Sequence, residues 1–154
     1  MSRTFALVVS QLTALTAVPF AQLAPPATTG IVITGIELGQ ETSETSQQEA
    51  LTFAIRSTAS TLPTATTPLA LDRRNSIASL LTGSTTTTAI GIATVTGTLT
   101  VTFRPMPFNV LNGFIWYPTP QFQIHVKPSE FFTLQFATAP AANTWSGMIY
   151  YEEE

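Results

Sequence analysis

Few residues of this 154-residue chain could start a reaction. His125 is the one histidine, Asp72 the one aspartate, and there is no cysteine. Nucleophilic catalysis needs a nucleophile beside the imidazole and an acid to orient it. His125 stands between Gln123 and Lys127, and no motif supplies either partner. It reads as a solvated or interface histidine. Glu37, Glu41, Glu44 and Glu49 run through a strand and a loop without the spacing of a calcium loop, so they read as solvent charges. A carboxylate pair for glycoside hydrolysis could be assembled from these acids, but the spacing selects none. GxGxxG, a phosphate loop and a nucleophile elbow are all absent. The sequence thus offers no catalytic residue, no metal ligand and no cofactor site, and the chain is read as a non-enzyme.

Binding is better provided for. Phe108, Phe114, Trp116, Tyr117, Trp145, Tyr150 and Tyr151 form an aromatic population that reads as core and subunit packing. A carbohydrate platform is the competing reading. Charged residues make up 10% of the chain, against about 25% in an average globular protein. The surface must then be hydroxyls, amides and apolar groups, which points to partners covering part of it. Net charge is −3, and Arg73-Arg74 is the only basic cluster, so a nucleic-acid partner is not expected. Without cysteine there is no disulfide framework. Residues 1–23 loosely resemble a secretory signal, but Gln11 and the threonines interrupt the apolar run. The run is also too short to span a membrane, so it reads as structural. No membrane partner is expected.

The elements that must position these residues are strands. In Ile92–Phe103, Val95, Leu99, Val101 and Phe103 alternate with threonines, which predicts one strand with a dry face and a wet face. Phe5, Leu7 and Val9 predict a first strand, Leu12–Val18 a second, and Ile31–Leu38 an inner strand apolar on both sides. Leu51, Phe53 and Ile55 alternate with Thr52, Ala54 and Arg56 and predict another, half-buried strand, with a short helix over Gln47 to Ile55 as the competing reading. Residues 57–88 form the longest irregular region, a subunit-contact loop or a connection laid over the sandwich. Its one helix-friendly piece is Asn75–Leu81. Asn112-Gly113 is a turn signal, marking either two short strands or one strand with a bulge. Gln121–Lys127 predicts a strand with Phe122, Ile124 and Val126 inward. Residues 131–136 and 145–151 complete the set. The expectation is a single all-β domain over 1–154: an antiparallel β-sandwich of about eight to ten short strands with little helix. Residues 1–29 form its N-terminal strand or arm.

Several stretches, taken in order, carry a family resemblance. They are Met1-Ser-Arg-Thr-Phe5, Ile36-Glu-Leu-Gly-Gln40 with its acidic Ser/Thr loop and Glu49, Ile55-Arg-Ser57, and Pro63–Leu71 running into Asp72. Phe108–Phe114, Ala137-Thr-Ala-Pro-Ala141 and Ser146–Glu153 follow. The chain resembles capsid cement or decoration proteins of tailed bacteriophages. It departs from their glycine-rich pattern between Ser57 and Pro68, where it has Thr61-Leu-Pro-Thr-Ala-Thr66. The resemblance implies a jelly-roll-like sandwich, a homotrimer, and the major capsid protein as partner on the outer surface of a virion. It brings no catalytic residues. Arg3, Phe5, Arg73, Arg74, Trp116 and Tyr117 are the expected capsid or subunit contacts. A head-fibre or tail-tip module binding host glycans is the alternative, motivated by the aromatic run 108–117.

Overall fold

The computed structural model describes residues 3–14, 16–42, 45–72, 77–103, 105–141 and 143–154. The long strands are β1 (Arg3–Ala14), β2 (Pro19–Leu23), β3 (Ile31–Gln40) and β4 (Gln48–Arg56). Two-residue pieces follow: β5 (Thr64–Ala65), β6 (Leu69–Ala70) and β7 (Ala89–Ile90). The rest are β8 (Leu99–Thr102), β9 (Met106–Asn109), β10 (Phe114–Trp116), β11 (Ile124–Val126), β12 (Phe131–Phe136) and β13 (Asn143–Glu153).

These strands build two antiparallel sheets, β10-β3-β13-β1-β6 and β5-β7-β2-β12-β4-β8. β11 continues the track of β10 along β3, and β9 continues that of β8 along β4. Setting aside the two-residue pieces, eight tracks remain. Numbered along the chain, their order is 1-8-3-6 in one sheet and 2-7-4-5 in the other. That winding is a jelly roll, a sandwich of two interleaved Greek keys.

Period-2 alternation supplies the core. Phe5, Leu7 and Val9 of β1 and Trp145, Ile149 and Tyr151 of β13 face Leu51 and Phe53 of β4 and Phe132, Leu134 and Phe136 of β12; all are buried. In the first sheet two bulges adjust the phase. In β3 the register slips opposite Tyr150 and Tyr151, so Ile31 and Ile33 point inward before it and Ile36 and Leu38 after it. This is why the run looks apolar on both sides, and β3 does lie inside its sheet. In β1 the slip falls between Val9 and Leu12. There Gln11 takes a left-handed φ of 46°, and its N–H donates to Ser146 Oγ at 3.0 Å. β1 thus runs on to Ala14, and the second strand begins at Pro19, where a missing N–H is tolerated.

Residues 57–62, 85–88 and 94–98 lie across the outer face of the second sheet and cover a polar second layer, whereas Leu69–Ala70 pairs with β1 of the first sheet. Gln22, fully buried on β2, donates through Nε2 to Thr87 O at 2.7 Å and accepts the Ser60 N–H at 2.8 Å. Arg56, 5% exposed, donates to Thr133 Oγ1, Gly97 O and Gln135 Oε1. The outward residues Thr52, Ala54 and Thr133 are buried too, so the strands of this sheet are not half-wet.

Three local expectations are corrected. Ile92–Phe103 is not one strand: only Leu99–Thr102 joins the sheet, at its edge. Before it, the chain bonds to the covering segment and to β2, with Thr94 N–H donating to Thr61 O and Ala93 N–H to Pro19 O. Its apolar side chains do not share one dry face. Val101 lies opposite Ile55, whereas a slip sets Leu99 opposite Arg56; both stay exposed, at 42% and 52%. Residues 77–81 form no helix, and Arg73, Arg74, Asn75 and Ser76 lie outside the described residues. Phe122 is not inward, as its site explains.

Candidate functional site

The open side of the sandwich lies between the edges β8–β9 and β10–β11. The chain crosses there from one sheet to the other through Asn109–Gly113. Asn112 N–H donates to Asn109 O at 3.1 Å, Leu111 N–H to Asn109 Oδ1 at 3.0 Å, and Gly113 takes φ +70°, a conformation suited to glycine. Phe108 and Phe114, on either side of the turn, both enter the core. Trp116 ends β10 half-buried, its ring 5.1 Å edge-to-face from Phe53.

After Trp116 the edge departs from its sheet. Trp116 pairs with Ile36 and Ile124 with Ile33, so residues 117–123 stand opposite Thr34 and Gly35 alone. Pro118 and Pro120 cannot donate to a strand ladder, and Pro120–Phe122 forms a 3₁₀ turn instead. The turn holds Phe122 out at 75% exposure, while Ile124 and Val126 beyond it are buried as the alternation predicts. The Pro118/Pro120 pair was the readable signal, and alternation through Gln121 masked it.

This excursion leaves an open groove of about 570 Å³ lined by Phe53, Phe103, Met106, Trp116 and Phe122. Its polar lining is Gln121, Gln123 and His125. His125 Nδ1 lies 3.1 Å from Glu154 Oε1, with both side chains more than half exposed. The acid that faces the imidazole therefore comes from the far end of the chain, which no local motif could reveal. Among the described residues, no hydroxyl shares a hydrogen bond with this pair. A shallower hollow of about 340 Å³ lies near Glu37, Asn112 and Ser146. Among the described residues, no three histidine, aspartate or glutamate side chains gather as metal ligands.

Tyr117 faces away from the groove. Its ring packs where Gly35 has no side chain, and its hydroxyl donates to Glu37 Oε1 at 2.5 Å. Tyr150 donates to Glu37 Oε2 at 3.0 Å. Desolvation first, then the hydrogen bond to Glu37, raises both phenols above the ordinary tyrosine pKa. With both carboxylate oxygens engaged, Glu37 is a fixed strut.

Among the described residues, the expected contacts do not form one patch. Arg3 is exposed at the start of β1, but Phe5 is buried and stacked on Tyr151, so its side chain offers no surface. β1 lies three strands from β10, or about 14 Å at ordinary strand spacing. Trp116 and Tyr117 are adjacent but point to opposite faces, and Arg73 and Arg74 lie outside the described residues. The sequence reading missed Phe122, Gln121 and Gln123.

No family model matches the chain, and no curated protein or solved structure matches it.

Proposed function

We propose that this chain is a non-enzymatic structural protein of a virion that assembles as a homotrimer, binds the outer capsid surface and bridges major capsid protein subunits. The observation that carries the reading is the edge strand β8. Leu99, Thr100, Val101 and Thr102 are all exposed, and Val95 before them is 58% exposed. No charged residue occurs from Ile92 to Phe103. Free-standing proteins guard an exposed edge with lysine, proline or a covering loop, because unpaired backbone groups beside apolar side chains recruit other chains. The neutral β8 half of this edge, ahead of Arg104, Pro105 and Pro107, fits a protein whose edge is closed by a neighbour. The jelly-roll sandwich and a surface poor in charge support the same reading. Repetition on a symmetric shell would add avidity, each contact becoming intramolecular once the first has formed.

Cryo-electron microscopy of particles containing the chain tests this. Trimeric density on the outer shell with β8 at a subunit contact is expected, and Val101→Lys should abolish attachment while the isolated chain stays folded. Particles with no shell-bound density, or full attachment of the Val101→Lys chain, would overturn it.

A further inference from the structure

We propose that the groove between the β8–β9 and β10–β11 edges binds a neutral saccharide chain. The inference does not rest on the capsid reading. The groove's volume, about 570 Å³, falls in the range of ligand sites. Phe53, buried at 1% exposure, and Trp116 give it an apolar floor. Phe122 stands above, held out by the proline-initiated turn although an aromatic ring gains by leaving water.

The polar groups choose the ligand. The side-chain amides of Gln121 and Gln123 make no hydrogen bond within the described residues. His125 faces Glu154 through Nδ1, and its Nε2 has no partner among the described residues. Among the described residues no lysine or arginine lines the groove, and the one carboxylate beside it, that of Glu154, is engaged by His125. A sugar ring fits both halves of this lining: its C–H face packs on an aromatic ring, and its hydroxyls both donate and accept. Amides do the same in return. A peptide could meet the amides with its own backbone groups, so its capture is an outcome that the test must separate from sugar binding. The groove is open along its length, which suits an oligosaccharide segment.

The test uses the full chain and a glycan array holding neutral gluco-, manno-, galacto- and N-acetylglucosamine oligomers beside sialylated and sulfated ones. Hits are titrated by tryptophan fluorescence, in which Trp116 reports the groove while Trp145 stays in the core. Neutral oligomers are expected to bind at millimolar concentration or below. Phe122→Ala should weaken them roughly tenfold or more, the equivalent of losing one buried aromatic contact. Gln123→Leu should weaken them as well, with the melting temperature of both variants unchanged. Val101→Lys should leave sugar affinity intact even where it abolishes shell attachment, which separates the two proposals. Binding of no neutral oligomer, binding of acidic glycans only, capture of an apolar peptide in place of sugar, or undiminished binding by Phe122→Ala would each overturn the assignment.

Discussion

Replacing Arg56 with methionine is expected to loosen residues 57–62 and 94–98 from the second sheet while the sandwich stays folded. The guanidinium donates to Thr133 Oγ1 at 3.1 Å, to Gly97 O at 2.6 Å and to Gln135 Oε1 at 2.7 Å. Hydrogen bonds from a charged donor contribute about 1.5–3 kcal/mol each. Against this stands the cost of keeping a cation in a site 5% exposed, a cost that also lowers the arginine's pKa. Methionine fills the stem's volume and removes that cost, but it leaves Gly97 O and Gln135 Oε1 without this donor. Thr133 keeps its bond to Ala54 O at 3.4 Å. Two orphaned acceptors at about 1–2 kcal/mol each give a net loss of about 2–4 kcal/mol. Lysine should not restore it, because a point charge cannot reach three acceptors arranged for a planar fork. Urea unfolding measures the loss, and hydrogen exchange locates it. The amides of Ser57, Thr61 and Gly97, bonded to Thr98 O, Val95 O and Ser60 Oγ, should lose protection. Those of Leu7 and Ile149, paired in the other sheet, should keep theirs. An Arg56→Met chain within about 0.5 kcal/mol of the parent, with protection unchanged, would refute the argument.

Two further outcomes follow from the tyrosines. Gly35→Ala would place a methyl inside the Tyr117 ring. It should expel that ring, break the bond to Glu37 and cost about 1–3 kcal/mol. The double variant with Tyr117→Ala should be no worse in thermal unfolding, and a fully stable Gly35→Ala would reject the packing. Tyr151, fully buried, has its pKa raised by desolvation, so the folded state holds the phenolic proton more tightly than the unfolded state. Its contribution is complete below the unfolded value of about 10. Above that pH it should be lost at up to about 1.4 kcal/mol per pH unit. Tyr151→Phe should flatten that alkaline decline, and an unchanged slope would count against it.

Alternation by itself determined most inward residues of the core strands: Phe5, Leu7 and Val9, Leu51, Phe53 and Ile55, and Phe132, Leu134 and Phe136. It also marked the Asn112-Gly113 turn, because only local backbone preference is needed there. What a strand faces was decided elsewhere. The alternating run at 92–103 has the right period, but an edge position and a one-residue slip leave its apolar side chains exposed. The outer face of β4 and β12 carries Thr52, Arg56 and Thr133, which read as wet; a segment arriving from up to 41 residues away makes it dry. The groove needs two sheet edges, a proline-built excursion and a C-terminal glutamate beside His125, none of which is close to the others in sequence. Period records the geometry of one strand at a time. Strand order, edge position and the covering of a face depend on contacts between distant segments, so the jelly-roll winding and the groove existed only once the chain had folded.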